Sequence, residues 1–320
     1  MKRFLKALFI TGGRIEYFTA DLTPFVTGIL LGFADYRMEN RGIRDGIPLA
    51  AVFVLGLLTV ICSHYFTVWA NVYADYEMDK RFKSELSDSV DTVGKGKLLS
   101  AIWLFVLAGL ILIVALSLLL ERWILTVLWA VGTFWALTYS FEPIRFKRTV
   151  ILGDIARGLP IVITVPFGYF LFGNGFGNGL GIGMGSLLFW CTAGLGINLF
   201  GLFMIGEVWD WKDDQGIVNT VAVTWGYRAA LNIGMVFIPA GALCWLFSYR
   251  AAHGGTAMRV YFWAGMAVLA LFMTDLVLRV YRKRGNYDAI EAHCGIVTKA
   301  GTTLLWVMEL AGAAVLAAAV

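Results

Sequence analysis

Charge is scarce in this sequence. Asp, Glu, Lys and Arg make up 15% of its 320 residues, where a soluble globular domain carries about 25%. Cysteine and histidine are scarce too, at four and three residues, and none forms a CxxC pair. That argues against a disulfide framework and against a thiolate or imidazole metal centre. His64 reads as a satisfied interior histidine. No tract interleaves basic and aromatic residues, so no nucleic-acid footprint is expected.

Apolar residues fill the space that charge leaves, at 59% of the chain. They fall into runs of membrane-crossing length, which predicts an all-α polytopic membrane protein in a lipid bilayer. Nine transmembrane helices are expected, at 15–36, 49–72, 98–120, 123–139, 150–172, 187–206, 229–247, 260–281 and 302–320, around a central cavity. Residues 1–320 form a single domain, with pseudo-halves of about 15–139 and 150–281 and then a final helix. Only Glu121-Arg122 divides the third span from the fourth, which predicts a tight hairpin. Pro160 and Pro166 should bend the fifth span. The glycine-rich stretch 173–185 reads as an irregular external loop. Met1–Gly13 is basic and then briefly apolar, which suits an interfacial helix better than a signal peptide.

Lys and Arg are unevenly shared between alternate loops. One side gathers Lys2, Arg3, Lys6 and Arg14, the 80–97 cations, Arg145, Lys147 and Arg148, and the cations after the sixth and eighth spans. The other side holds Arg37, Arg41, Arg44, Arg122, Arg250 and Arg259. Cytoplasmic loops are the basic ones, so the N-terminus and the 71–97 region are expected in the cytoplasm.

The chemistry concentrates at the end of the second span. Asn71, Asp75 and Asp79 are spaced by four, which on a helix stacks three oxygen-bearing side chains on one face. Acids at the mouth of a membrane helix are expensive and usually functional. Oxygen-only ligands suit hard cations such as Mg²⁺. Asp210 and Asp214 repeat the spacing after the sixth span, with Glu207 before them and Asp213 as the alternative inward ligand. Four spans separate the motifs, an even number, so both emerge on one face. Mg²⁺ ions held between them would neutralise a diphosphate as a leaving group. Lys80, Arg81, Lys95, Lys97, Arg145, Lys147 and Arg148 are the nearby cations that would share its charge.

These residues resemble the UbiA superfamily of intramembrane prenyltransferases. The resemblance rests on Asn71-Asp75-Asp79 after the second span and Asp210-Asp214 after the sixth. Gly13-Arg14 with Thr23-Pro24 and Gly28, the stretch from Tyr139 to Lys147, Leu152-Gly153-Asp154, and Gly216, Thr220 and Gly226 extend it over the whole chain. It implies an Mg²⁺-dependent enzyme that ionises an isoprenyl diphosphate and passes the allylic cation to a lipophilic, typically aromatic acceptor. Asn71, Asp75, Asp79, Asp210 and Asp214 would hold the metal. Arg14 and Lys212 would join the other cations on the diphosphate, and Tyr139 would offer its ring face to the carbocation. The 80–97 loop and Leu152-Gly153-Asp154 look closest to the menaquinone-type, quinone-precursor branch. Val72 and Trp209 depart from the family pattern. A terpene cyclase on the same scaffold would form the same cation. A transporter would use Asp154, Arg157, Asp275 and Glu309 as an intramembrane pathway.

Overall fold

A computed structural model describes residues 2–39, 47–82, 84–173 and 184–320. The described chain is helical, with no strand. The helices are α1 (Lys2–Leu5), α2 (Phe18–Glu39), α3 (Leu49–Ala74), α4 (Tyr76–Phe82), α5 (Ser84–Val93), α6 (Lys95–Leu120), α7 (Ile124–Ser140), α8 (Leu152–Phe172), α9 (Met184–Asp214), α10 (Val221–Thr224), α11 (Tyr227–Ala252), α12 (Thr256–Arg279) and α13 (Glu291–Ala319).

Seven of them, α3, α6, α8, α9, α11, α12 and α13, are long and apolar enough to cross a membrane. The count of nine is not matched by that measure. Helix α2 spans 22 residues but carries Asp21, Asp35 and Arg37. Helix α7 is apolar but has 17 residues. Two expected boundaries also move: the sixth span runs on through Asp214, and the last begins at Glu291 rather than 302. The helix continues because nothing in Gly206–Asp214 breaks it; polarity alone does not end a helix whose inner face stays packed.

The main core joins α2, α8, α9, α11 and α13. Gly28 shows how close α2 and α8 come: a Cβ there would lie 2.0 Å from the Val165 carbonyl oxygen. Backbones that approach this closely at a small residue are a usual means of helix association in lipid. The α6–α7 hairpin is as tight as expected. Glu121 takes a left-handed conformation at φ 56°, and the Arg122 N–H donates to Ser117 O at 2.9 Å, closing α6. The Arg122 guanidinium then reaches the Phe170 carbonyl at 2.7 Å. Pro160 and Pro166 lie within an unbroken α8. The glycine-rich loop falls almost wholly outside the described residues.

A second, smaller core lies at the N-terminus. After α1 the chain makes one π-helical turn, Lys6–Thr11. Ala7 and Leu8 are buried against Trp69, Val90 and Val93, and the Trp69 indole N–H donates to Leu8 O at 2.9 Å. The segment thus docks on protein, over the helices that follow the first motif. Apolar side chains from α3, α5 and α6 bury its inner face, while Leu5 and Ile10 stay exposed. His64 is buried as expected, with Nδ1 at 2.8 Å from Asp21 and Nε2 at 3.1 Å from Gly13 O.

Candidate functional site

The first motif spans a helix break. Asn71 sits in the last turn of α3, Asp75 lies at its end, and Asp79 lies in α4. Asp75 adopts φ −93° and ψ 3°, the bridge region where helices turn and site residues often sit. The ladder survives the break: Asp75 N–H donates to Asn71 O at 2.9 Å, and Asp79 N–H to Asp75 O at 2.8 Å. The three side chains therefore keep the four-residue rise expected of one continuous helix.

Asp75 and Asp79 are 5% and 4% exposed. Burial of carboxylates at that level demands compensation. For Asp75 it comes from the segment between α7 and α8. Arg145 Nη2 lies 3.0 Å from Asp75 Oδ1, and the Lys147 ammonium pairs with Oδ2. Arg145 also reaches the Ala74 carbonyl at 3.4 Å. Its backbone holds φ 41°, a left-handed value that costs a non-glycine residue about 1–3 kcal/mol and tends to persist at functional sites. Arg145 Nε is buried and has no hydrogen-bond partner.

Glu142, which the sequence reading passed over, organises the same segment. Its carboxylate lies 2.8 Å from Arg148 and 3.5 Å from Arg145. Its place in the Tyr139–Lys147 stretch and its spacing of three from Arg145 were its signals. The Arg148 carbonyl accepts from Asn219 Nδ2 at 3.4 Å, and Asn219 lies in the loop after the second motif. The basic segment thus touches Asp75 on one side and the second-motif loop on the other. Nothing in the sequence around Asn219 marks it for this.

The second motif lies on the last turns of α9. Asp210 is exposed and Asp214 half-buried, while Asp213 is exposed. Glu207, one turn earlier, is 6% exposed and accepts from the Ala222 N–H at 3.0 Å. Thr220 caps α10 through Val223 N–H. These two contacts fold the return loop back along α9. Tyr287 anchors the outer side, donating to Trp209 O at 3.0 Å. Burial, with the Glu291 carboxylate second, pushes the Tyr287 phenol up to about 12.

Not every expected cation faces the motifs. The Lys212 ammonium pairs with Asp288 and lies 4.8 Å from the Tyr287 ring. Arg14 lies 4.1 Å from the Tyr17 ring centroid. Lys80 lies 4.1 Å from the Tyr76 ring and 3.5 Å from Glu77, and the Tyr76 hydroxyl beside it raises its ammonium above the ordinary value. Arg81 and Lys97 are exposed, and Tyr139 is half-buried on α7. Of the residues read as a pathway, Asp275 pairs with Arg279 at 2.7 Å and His293 at 2.8 Å. Arg157 lies over Phe203, 4.2 Å from its centroid.

Among the described residues, no three His, Cys, Asp or Glu side chains group closely enough to hold a metal ion alone. The donor set is nonetheless that of a hard cation, since every motif side chain offers oxygen. Mg²⁺ commonly takes one or two carboxylates and completes its shell with water and substrate phosphate. Two acidic motifs and a buried, unpartnered Arg145 Nε beside one of them fit that division of ligands.

Fold and site together define an all-helical membrane protein that gathers acids and cations at one end of its bundle. The model of the UbiA prenyltransferase family matches residues 41–292. The chain belongs to that family and is a prenyltransferase. Solved structures share the fold over nearly the full length. A UbiA homolog from Archaeoglobus fulgidus bound to GPP and Mg²⁺ has 17% identity and a TM-score of 0.65, over 98% of this chain and 99% of that chain. The same protein bound to DMAPP and Mg²⁺ gives the same values. A digeranylgeranylglyceryl phosphate synthase has 13% identity and a TM-score of 0.67, over 98% of this chain and 99% of that one. No curated protein sequence matches.

Proposed function

We propose that this protein transfers an isoprenyl group from a prenyl diphosphate to a lipophilic acceptor in an Mg²⁺-dependent reaction within the membrane. The observation that carries the reading is the buried Asp75 with Arg145 and Lys147 on its two oxygens. An acid and two cations of the kind a diphosphate site needs meet there at one helix break. The Archaeoglobus structures bound to prenyl diphosphates and Mg²⁺ support it by likeness.

Asn71, Asp75, Asp79, Asp210 and Asp214 would hold Mg²⁺. When bound, Mg²⁺ would neutralise the diphosphate and improve it as a leaving group. Arg145 would offer its spare Nε–H to phosphate oxygens, and Lys147 a point charge. Glu142 would keep Arg145 and Arg148 oriented. Tyr139 would present a ring face to the carbocation. The apolar bundle would exclude water from it. An aromatic acceptor of the quinone-precursor type is proposed from the sequence resemblance. Helices α2 and α7 would bring the crossings to nine, with the N-terminus and both motifs in the cytoplasm.

Mass spectrometry of products tests this, using purified protein, Mg²⁺, prenyl diphosphates of graded length and a panel of aromatic quinone precursors. Prenylated acceptor and released diphosphate are expected, both lost on chelation and restored by Mg²⁺. A cyclised hydrocarbon or alcohol without acceptor would make the protein a cyclase. Absence of diphosphate release with every prenyl diphosphate would overturn the reading.

A further inference from the structure

Beside the first motif, on the outer face of α3, α6 and α7, lies a groove of about 450 Å³. Tyr73, Leu99, Trp103, Leu137 and Phe141 form its walls, with Glu142, Pro143 and Ile144 at one end. Its lining is almost wholly apolar, and Trp103 is 52% exposed. A groove of this volume is within the range of ligand pockets, about 300–1,000 Å³.

Its mouth is not apolar. Lys95, Leu99 and Trp103 follow one another at intervals of four on α6 and so share a face. The Lys95 ammonium lies 5.3 Å from the Tyr73 ring and 5.1 Å from the Tyr76 ring. Lys80 also lies over Tyr76, 4.1 Å from its ring centroid. The acids nearby are already engaged: Glu142 by Arg145 and Arg148, Glu77 by Lys80, and Asp91 by the Tyr76 hydroxyl. A cationic, tyrosine-lined end joined to an apolar trough at a helix end matches a lipid with an anionic head.

We propose that this groove binds one anionic phospholipid, its acyl chain along Leu99, Trp103, Leu137 and Phe141 and its phosphate at Lys95 beside Tyr73 and Tyr76. Tyr73 lies two residues before Asp75, so the lipid would brace the helix end that carries the first motif. The site assigns Lys95 to the lipid rather than to the diphosphate; it lies apart from the motif side chains and does not depend on the transfer reaction proposed above.

Native mass spectrometry of protein in detergent, titrated with phosphatidylglycerol or phosphatidylcholine, tests it. One phosphatidylglycerol should be retained in preference to phosphatidylcholine and should raise the melting temperature. Glycerol phosphate, which has the head charge without the chains, should do neither. Lys95→Gln should weaken retention about fivefold, the factor one lysine near the surface contributes. Leu99→Trp should fill the groove and lower retention further. Brominated phosphatidylglycerol should quench less tryptophan fluorescence in Trp103→Phe than in the native chain, a readout that does not need Leu99→Trp to fold. Equal retention of phosphatidylcholine, stabilisation by glycerol phosphate alone, or unchanged retention in Lys95→Gln would each overturn the proposal.

Discussion

At Asp75 a nearly buried carboxylate meets two partly buried cations, Arg145 and Lys147. Removing the acid leaves those cations without their counter-charge, an imbalance worth about 3–5 kcal/mol for a buried pair. Asp75→Asn is expected to lower thermal stability and to cut turnover by about 100-fold or more. Adding Lys147→Met should return part of the stability and none of the turnover. Chemical denaturation and diphosphate release, measured on both variants, separate the two roles. If the double variant regained activity, Asp75 would be structural only.

Tyr287 gives a pH prediction of the opposite kind, since it braces the second motif through Trp209 O. Its phenol is pushed up to about 12, while a tyrosine in the unfolded chain titrates near about 10. Over that window the folded chain keeps a proton that the unfolded chain has lost. Its contribution is therefore full below about pH 10 and is lost as pH rises towards 12. Melting temperatures taken from pH 9 to 12 should fall more steeply for the native protein than for Tyr287→Phe. Parallel slopes would remove Tyr287 from the account.

Among the elements, the two motifs share more than the acidic spacing. After each motif a polar stretch ends on a glycine at φ 90°, Gly94 before α6 and Gly226 before α11. That conformation is open to glycine and strained for residues with a Cβ. No atom lies within 4 Å of a Cβ built on either, so conformation alone is at stake. Gly94→Ala and Gly226→Ala should each destabilise by about 1 kcal/mol or more, read from denaturation midpoints. Gly96→Ala has equal space and helical backbone, and should be neutral or stabilising. The N-terminal segment packs beside the first motif's helices. Its short apolar run was legible, but its partner was not, because Trp69, Val90 and Val93 come together only when α5 folds back.

For the whole molecule, topology is the open quantity, and α7 decides much of it. If α7 crosses the membrane, the α6–α7 turn and the α7–α8 segment lie on opposite faces. Glu121 and Thr149 are both exposed. Cysteines placed there in a background lacking Cys62, Cys191, Cys244 and Cys294 should react with an impermeant thiol reagent from opposite sides. Labelling of both from the same side would remove α7 from the crossings. Thr149 is expected to react from the cytoplasmic side.

Much of this was determined by the sequence itself. Apolar runs dictated an all-helical membrane protein, because backbone polar groups in lipid must be satisfied within each segment. Spacing by four placed Asn71, Asp75 and Asp79 in successive turns, and the ladder through Asp75 keeps that rise despite the helix break. What the linear chain could not express was which cation meets which acid. Nine cations were candidates for the diphosphate, and the linear sequence did not rank them. The fold turned Lys212 to Asp288, set Lys80 on Tyr76, and brought Arg145 and Lys147 to Asp75 across about 70 residues of chain. Such pairings depend on distances of a few ångströms between separate helices. Those distances are fixed by how the bundle packs, and the packing is decided by the whole molecule at once.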